Sequence, residues 1–549
     1  MNKWTALWKK FPSRTLKLGA VALSALVLIT ACGGRGEAEV PVVVQPPASG
    51  GAITVPLTNF DTLNPLLTTN EDYHQFSQLI YNSLYTHEND GSLKPQLAEH
   101  VERSEDGKRL TVTLKEEVYF QDGAPLTAKD VAETFNAMKK LPADSPMMNK
   151  LRHSVGLSNP FDPETFAEAK VFDERNVDFE FQRPYAGALS ILTFPILPAH
   201  LLSQEEMIQA EDFRPLGTGP YQFVSYTPNR EIVLKKNPNY FSDVAYAEEI
   251  YGKIYADADS IREAYDSSSV DLFFSEDYTW DRYRADENSQ LDSYPTNRLE
   301  VMVFNLADPT VGGHRALRQA ISQGVNRRRI LDSLYLSQGV PVNFFLNPEI
   351  NTLQTANNDV YSSVDASREL LRKAGFRDVD GDGYLELPDG SPLRLRIRYD
   401  AGNDLRSRQS SFLLDDLQAM GIEAQGEPFN KSEGETLPDP FQVALVGMSF
   451  SDHVDLAAVL SSQGVGSLNM SGYQNDQVDQ WCAELSLTTD KKQQRELIQL
   501  IREQFLEDAP MVPLFFLNET IVRSSKLTGD LRPNVYHKLK GIPDLRVGE

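Results

Sequence analysis

The chain has little of the chemistry that enzymes and metal proteins use. Its 549 residues include two cysteines, eight histidines and four tryptophans. The histidines show no metal-ligand spacing, and no G-x-S-x-G, P-loop or H-E-x-x-H motif is present. No C-x-x-C pair occurs, which argues against a redox role. We therefore expect a protein that is not an enzyme and that requires no cofactor.

Positive charge and long apolar runs are also scarce. The net charge of -25 argues against nucleic-acid binding, because contact with phosphates requires basic patches. The main apolar run, residues 18–31, follows a basic N-terminus and is too short to cross a hydrocarbon core of ~30 Å comfortably. This pattern predicts that residues 1–31 are a signal peptide. We find no later run long enough to span a membrane.

The apolar run ends in Ile29-Thr30-Ala31-Cys32-Gly33, which resembles the lipobox of bacterial lipoproteins. The resemblance implies cleavage before Cys32 and attachment of palmitate-type acyl chains to its thiol. An ordinary signal peptide with a chance cysteine is the alternative. Residues 32–50 are rich in Gly, Pro and Val and read as a flexible tether. We expect an extracytoplasmic protein held by lipid at the cell membrane, on the periplasmic side or at the cell surface.

The remaining residues, roughly 500 of them, exceed the ~250–300 at which a single core stops growing. They predict at least two lobes. Helical and strand patterns alternate throughout, which favours an α/β fold. The clearest segments are a helix over 73–85, a helix over 128–138 with a Thr127 cap and Asp130 three residues on, a helical pattern over 317–334 interrupted at Gly324, and strands over 109–114, 393–399 and 512–517.

Several segments, in order, resemble the family 5 extracellular solute-binding proteins, the peptide and nickel receptors of ABC importers. They are Asp61-Thr-Leu-Asn-Pro, Leu79-Ile-Tyr-Asn-Ser, Pro125-Leu-Thr-Ala-Lys-Asp, Gly217-Thr-Gly-Pro-Tyr, Asn237-Pro-Asn-Tyr, Arg318-Gln-Ala-Ile, Asn469-Met-Ser-Gly-Tyr and Ala509-Pro-Met-Val-Pro.

The resemblance implies a periplasmic-binding-protein-like fold with two discontinuous lobes joined by a hinge. Lobe I would comprise residues 51–295 and 513–549, and lobe II residues 296–512. The strands that cross between them would lie near 299–305 and 511–516. The implied function is a monomeric receptor that captures a small molecule, with a peptide as the favoured class, by hinge closure and delivers it to ABC permease subunits.

The resemblance also indicates where a ligand would bind. On lobe II, the segment Ser449-Phe450-Ser451-Asp452 offers Asp452 as the partner of a peptide amine, because a buried carboxylate needs a cation. Asp455 is the alternative, and Asp452 could also be a surface-loop residue. Tyr473 and Asn469 could line the same side or serve packing. On lobe I, the implied cleft residues are Thr69, Asn70 and Glu71.

An acidic turn supplies the sharpest local motif. Asp378, Asp380, Asp382 and Glu386 resemble a Ca²⁺ loop, since Ca²⁺ prefers 6–8 oxygen ligands around a tight turn. However, a strand pattern follows where an EF-hand needs a helix. A solvated turn is therefore the favoured interpretation, and a structural Ca²⁺ site is the alternative.

Three functions compete at this point. A peptide receptor is favoured, the same scaffold binding a metal chelate or sugar is the second, and a ligand-sensing lipoprotein is the third. An enzyme would need a nucleophile and a base, and the sequence indicates neither.

Overall fold

The computed structural model describes residues 50–141, 168–184, 186–202, 213–275, 278–351, 353, 360–430, 437, 440–450, 455–465 and 468–548. Helices and strands alternate through these ranges, so the prediction of a mixed α/β fold is confirmed. No helix in these ranges is both long and apolar enough to cross a membrane.

Strands predominate in the described residues before 276. They are β1 (Ala52–Thr58), β2 (Tyr85–His87), β3 (Leu93–Pro95), β4 (Ala98–Arg103), β5 (Arg109–Leu114), β6 (Glu168–Val171), β7 (Asn176–Glu180), β8 (Tyr221–Thr227), β9 (Glu231–Lys236), β10 (Glu249–Tyr255) and β11 (Leu272–Ser275). The helices here are α1 (Glu71–Ser77), α2 (Ala128–Met138), α3 (Ala199–Leu202) and α4 (Ala258–Asp266).

These strands form two four-stranded sheets, in the orders β1-β10-β9-β8 and β4-β5-β7-β6. The period-two pattern that predicted β5 is confirmed, because Leu110, Val112 and Leu114 are buried. The predicted start of α2 is confirmed as well. The Asp130 carboxylate accepts the Thr127 backbone N–H at 2.8 Å, which satisfies a donor that the helix itself leaves open.

The helix predicted over residues 73–85 is wrong beyond Ser77, where α1 ends. The carbonyls of Leu79 and Ile80 accept the backbone N–H groups of Tyr221 and Gly219 instead, at 3.0 and 2.7 Å. Carbonyls bonded to a distant segment do not propagate a helix. The apolar residues that suggested the helix are nevertheless buried in the core: Phe76, Leu79, Ile80 and Leu84.

Helices are longer and more frequent in the described residues after 288. They are α5 (Pro309–Gly313), α6 (Arg315–Gly324), α7 (Arg327–Leu334), α8 (Val364–Lys373), α9 (Asp404–Met420), α10 (Leu456–Leu460), α11 (Asp476–Leu487) and α12 (Lys491–Asp508). The strands are β12 (Ser289–Phe304), β13 (Gly339–Pro341), β14 (Arg394–Asp400), β15 (Glu423–Phe429), β16 (Val443–Ser449), β17 (Met511–Ser524), β18 (Leu527–Thr528) and β19 (Arg546–Val547).

The interruption predicted at Gly324 is confirmed, because α6 ends there and α7 begins at Arg327. A Cβ on Gly324 would lie 2.2 Å from the Met420 sulfur at the end of α9. A larger residue at position 324 would therefore require the side chains of Met420 and Ser367 to move.

A seven-stranded sheet in the order β11-β17-β12-β16-β14-β15, with β13 beside β17, organises this part of the chain. Alternate residues of β12 face opposite sides, with Met302 and Phe304 on one and Val301 and Val303 on the other. Helices α6 to α9 cover the first face, and α10 to α12 cover the second. Burial on both faces explains why β16 and residues 511–517 of β17 are almost continuously apolar.

Two main apolar cores result. The first core draws on residues 53–294 and 521–545, and the second core, on both sheet faces, draws on residues 299–517. Strands β12 and β17 pair antiparallel from Ser289 opposite Ser524 to Val303 opposite Met511, so they belong to both cores. The predicted crossing segments 299–305 and 511–516 lie largely within these strands, and the lobe boundaries at 295/296 and 512/513 stay predictions.

Candidate functional site

A polar cavity of about 60 Å³ lies in the part of the molecule built on the first core. Three histidines line it, His74, His87 and His537, together with tyrosines and neutral Asn, Gln, Ser and Thr side chains. Among the described residues that line it, none is Asp, Glu, Lys or Arg. The volume suits a few water molecules or one small polar group, and not a whole peptide.

The cavity walls are tied together by α1 and the C-terminal segment. The Gln78 side chain donates to the Tyr536 carbonyl at 3.0 Å, and the Lys538 backbone N–H donates to Gln75 Oε1 at 2.9 Å. The His87 ring stacks on Tyr536 with 3.8 Å between ring centroids. Residues far apart in sequence therefore form one wall, and sequence reasoning gave no signal for this site.

The predicted lobe I residues lie at the start of α1. Thr69 donates its backbone N–H and its hydroxyl to Asp61 Oδ2, each at 2.8 Å. Burial alone would raise the pKa of Asp61, but the hydrogen bonds from Thr69 lower it below its ordinary value. Asn70 caps α1 by accepting the Tyr73 N–H at 2.8 Å, and Glu71 accepts the Gln75 side-chain amide. Asp61 thus organises this turn, and the ligand role of Thr69, Asn70 and Glu71 stays a prediction.

The predicted lobe II residues follow β16. Ser449 is exposed and lies opposite Arg298 of β12, while Phe450 is buried and donates its N–H to the Asn297 carbonyl. Asp455 accepts the Ala457 N–H at 2.9 Å and so caps the N-terminus of α10. Ser451 and Asp452 lie outside the described residues, so their roles stay predictions.

Tyr473 is packed in the second core. Its hydroxyl donates to Asp508 Oδ2 at 2.6 Å, and burial followed by this hydrogen bond raises the pKa of the phenol well above its ordinary value. The Asn469 amide donates to the carbonyls of Ser461 and Tyr473. These contacts favour the packing interpretation for both residues.

A buried carboxylate lies where β12 and β17 pass between the cores. Glu519 accepts the Tyr294 hydroxyl at 2.6 Å and pairs with Lys538 at 3.3 Å and Arg298 at 3.6 Å. Burial would raise the pKa of Glu519, but the charge of Lys538, the Tyr294 hydrogen bond and the charge of Arg298 together lower it. The sequence analysis did not identify Glu519, although a carboxylate within an apolar strand predicts a buried charge.

The acidic turn is exposed and compact. Ligand oxygens of Asp378, Asp380 and Asp382 lie within 4.8 Å of one another. The same carboxylates accept the backbone N–H groups of the turn, while Glu386 accepts the Val379 N–H at 2.7 Å. The oxygens could bind a hard cation such as Ca²⁺, but the turn also holds its shape through its own hydrogen bonds.

Comparison with known proteins decides the family. Residues 92–464 match the model of the bacterial extracellular solute-binding proteins, family 5. The chain belongs to this family. It is 22% identical over 537 residues to the oligopeptide-binding protein AppA of Bacillus subtilis (strain 168), covering 94% of this chain and 95% of that protein. It is 24% identical over 504 residues to the nickel-binding periplasmic protein of Escherichia coli (strain K12), covering 85% and 89%.

The fold comparison agrees. The crystal structure of the ABC transporter substrate-binding protein CtaP from Listeria monocytogenes matches with a TM-score of 0.76 at 22% identity, covering 91% of this chain and 100% of that chain. The two-lobed fold predicted from the sequence is confirmed. Family membership makes the chain an extracytoplasmic solute-binding component of an ABC importer, and it confirms that the chain is not an enzyme.

Proposed function

We propose that this protein captures peptides between its two lobes by hinge closure and delivers them to the permease of an ABC importer. It acts as a monomer, held at the membrane by acyl chains on Cys32. The tether of residues 32–50 keeps the receptor near the permease, which raises the effective concentration for docking without any new contact.

One observation carries the peptide assignment. The likeness to AppA, a protein named for oligopeptide binding, runs through 94% of this chain. The paired strands β12 and β17 support the closure step, because they connect the two cores and a few residues in each strand can absorb the change of backbone angles.

A second candidate is a metal chelate. A protein named for nickel binding is among the relatives, and three histidines line the cavity. Imidazole suits nickel, copper and zinc, whereas a peptide amine prefers a carboxylate partner.

Ligand released from the purified full-length protein distinguishes the two candidates. Mass spectrometry of the denatured extract is expected to find peptides of mixed sequence, and elemental analysis is expected to find no stoichiometric metal. A metal with a small chelator, and no peptide, would replace the first proposal by the second. The intact mass of the same protein reports whether Cys32 carries acyl chains.

The role of Asp452 is tested with a peptide identified in that extract. Asp452→Ala is expected to weaken the affinity for this peptide about thirtyfold or more. Removing one partner of a buried charge pair costs about 2 kcal/mol or more of binding free energy. Isothermal titration calorimetry measures the change, and Asp389→Ala, at an exposed turn of the second lobe, is the matched control. Unchanged affinity in Asp452→Ala rejects the assignment.

A further inference from the structure

The passage between the two cores is marked by a break in strand pairing. On β12, Tyr294 packs in the first core and Leu299 in the second, and on β17 the change falls between Leu517 and Ile521. The pairing register shifts between Pro295 and Arg298. A bulge of this kind locally disrupts the ladder and lets a strand bend.

Glu519 lies within this passage and is held from both sides. Tyr294 and Lys538 contact it from the first-core side, and Arg298 contacts it from beyond the bulge. Lys538 is fixed to the first core, since its backbone N–H bonds to Gln75 of α1. Bending at residues 295–298 therefore moves Arg298 relative to Glu519 and leaves Lys538 in place.

The Arg298 contact is also the one best suited to change. Its side chain is 36% exposed, against 14% for Lys538, and its 3.6 Å distance is the longest of the three. Because the Arg298 side chain is partly exposed, water can solvate its guanidinium when the pair breaks, so the pair can break and re-form without unfolding. Glu519 keeps its two shorter contacts when that happens.

The two halves of the chain also contact each other away from these strands. The Ala186 N–H, next to the first core, donates to the carbonyl of Ser486 on α11 at 3.0 Å. A Cβ on Gly91 would lie 2.3 Å from the Ile350 carbonyl. Hydrogen exchange at the Ala186 amide therefore measures how often the two lobes leave the arrangement in which they are in contact.

We propose that the Arg298–Glu519 ion pair is a conformational latch that holds the ligand-free protein in the arrangement with the lobes in contact. The inference rests on the hinge closure of the proposed function. It adds that part of the closing energy comes from the protein's own charges and not from the ligand, so this pair sets how often the unliganded receptor closes.

Hydrogen–deuterium exchange of the ligand-free full-length protein tests the latch. Arg298→Gln is expected to speed exchange at the Ala186 amide about two- to fivefold, the range that partly exposed ion pairs give. Arg298→Lys, which keeps the charge, is expected to exchange nearly as wild type. Arg394→Gln on β14, which removes an exposed pair with Glu423 on β15, is expected to leave exchange at the Ala186 amide unchanged.

Three results overturn the latch. They are unchanged exchange at Ala186 in Arg298→Gln, equally fast exchange in Arg298→Lys, and a parallel increase in β5, which would mean that Arg298 only stabilises the fold. Because no ligand is added, failure of peptide binding leaves this experiment unaffected, and the two proposals can fail independently.

Discussion

The two halves of the receptor bury different kinds of polar group. Among the described residues of 50–294, Asp130 is the only buried side chain with a formal charge, and the other buried polar residues are neutral groups such as Asn64, Asn82 and Asn237. Residues 299–517 instead bury several charges: Glu300, Arg318, Arg327, Asp416 and Arg502.

Two of the buried arginines of the second half, Arg318 and Arg327, bind backbone carbonyls. Arg318 donates to the carbonyls of Val311 and Gly312 at the end of α5, and to those of Asp508 and Ala509 at the end of α12. Helix C-termini leave carbonyls without partners and carry partial negative charge, so a guanidinium suits them in both respects. Within these two ranges, Arg318 joins two helix ends of the helix-rich half through a cation, whereas Asn237 joins segments of the strand-rich half through a neutral amide.

The largest effect is expected for Arg318→Ala. The substitution leaves the carbonyls at the ends of two helices without their donor, so the free energy of unfolding should fall by about 4 kcal/mol. Denaturant unfolding followed by circular dichroism measures it. Arg315→Ala on the same helix removes only exposed ion pairs and should cost less than about 1 kcal/mol. Equal losses in the two variants would show that the carbonyl contacts are not responsible.

A smaller effect is expected for Asn237→Ala in the first half. Asn237 donates to the Gly219 carbonyl at 2.9 Å and accepts from Gln222 and from the Asn239 backbone. Its loss should lower the free energy of unfolding by about 2 kcal/mol, because neutral groups left without partners cost less than charges. The same unfolding experiment applies, with the exposed Asn239→Ala as control. A loss as large as that of Arg318→Ala would remove the distinction between the two halves.

Local structure was predictable from the sequence where its cause was local. The Asp130 capping box, the break at Gly324 and the alternation of β5 depend on neighbouring residues, and each was predicted correctly. The end of α1 was not predictable, because the carbonyls of Leu79 and Ile80 bond to residues near 220.

The site shows the same limit more strongly. His74, His87 and His537 line one cavity, but no pattern near any of them in the sequence predicts that the three lie around the same cavity. Glu519 differs, since a carboxylate within an apolar strand predicts a buried charge even though its partners cannot be named from sequence. Chain length alone predicted only two or more lobes, and the two-lobed fold was predicted from the family resemblance.

The smallest effect is expected at the acidic turn of the second half, whose charges are exposed. Asp378 accepts N–H groups from Gly381 and Gly383 at 2.7 and 3.0 Å, so two of its lone pairs already have partners. Water solvates the remaining oxygens, and the turn needs no cation to keep its shape. Millimolar Ca²⁺ should therefore leave the Tm in differential scanning calorimetry unchanged, with Asp380→Asn as the matched variant. A Tm that rises with Ca²⁺ in the wild type but not in Asp380→Asn would instead identify a structural cation site, because a ligand stabilises only the state that binds it. Charges in this half would then be neutralised at the surface as well as in the core.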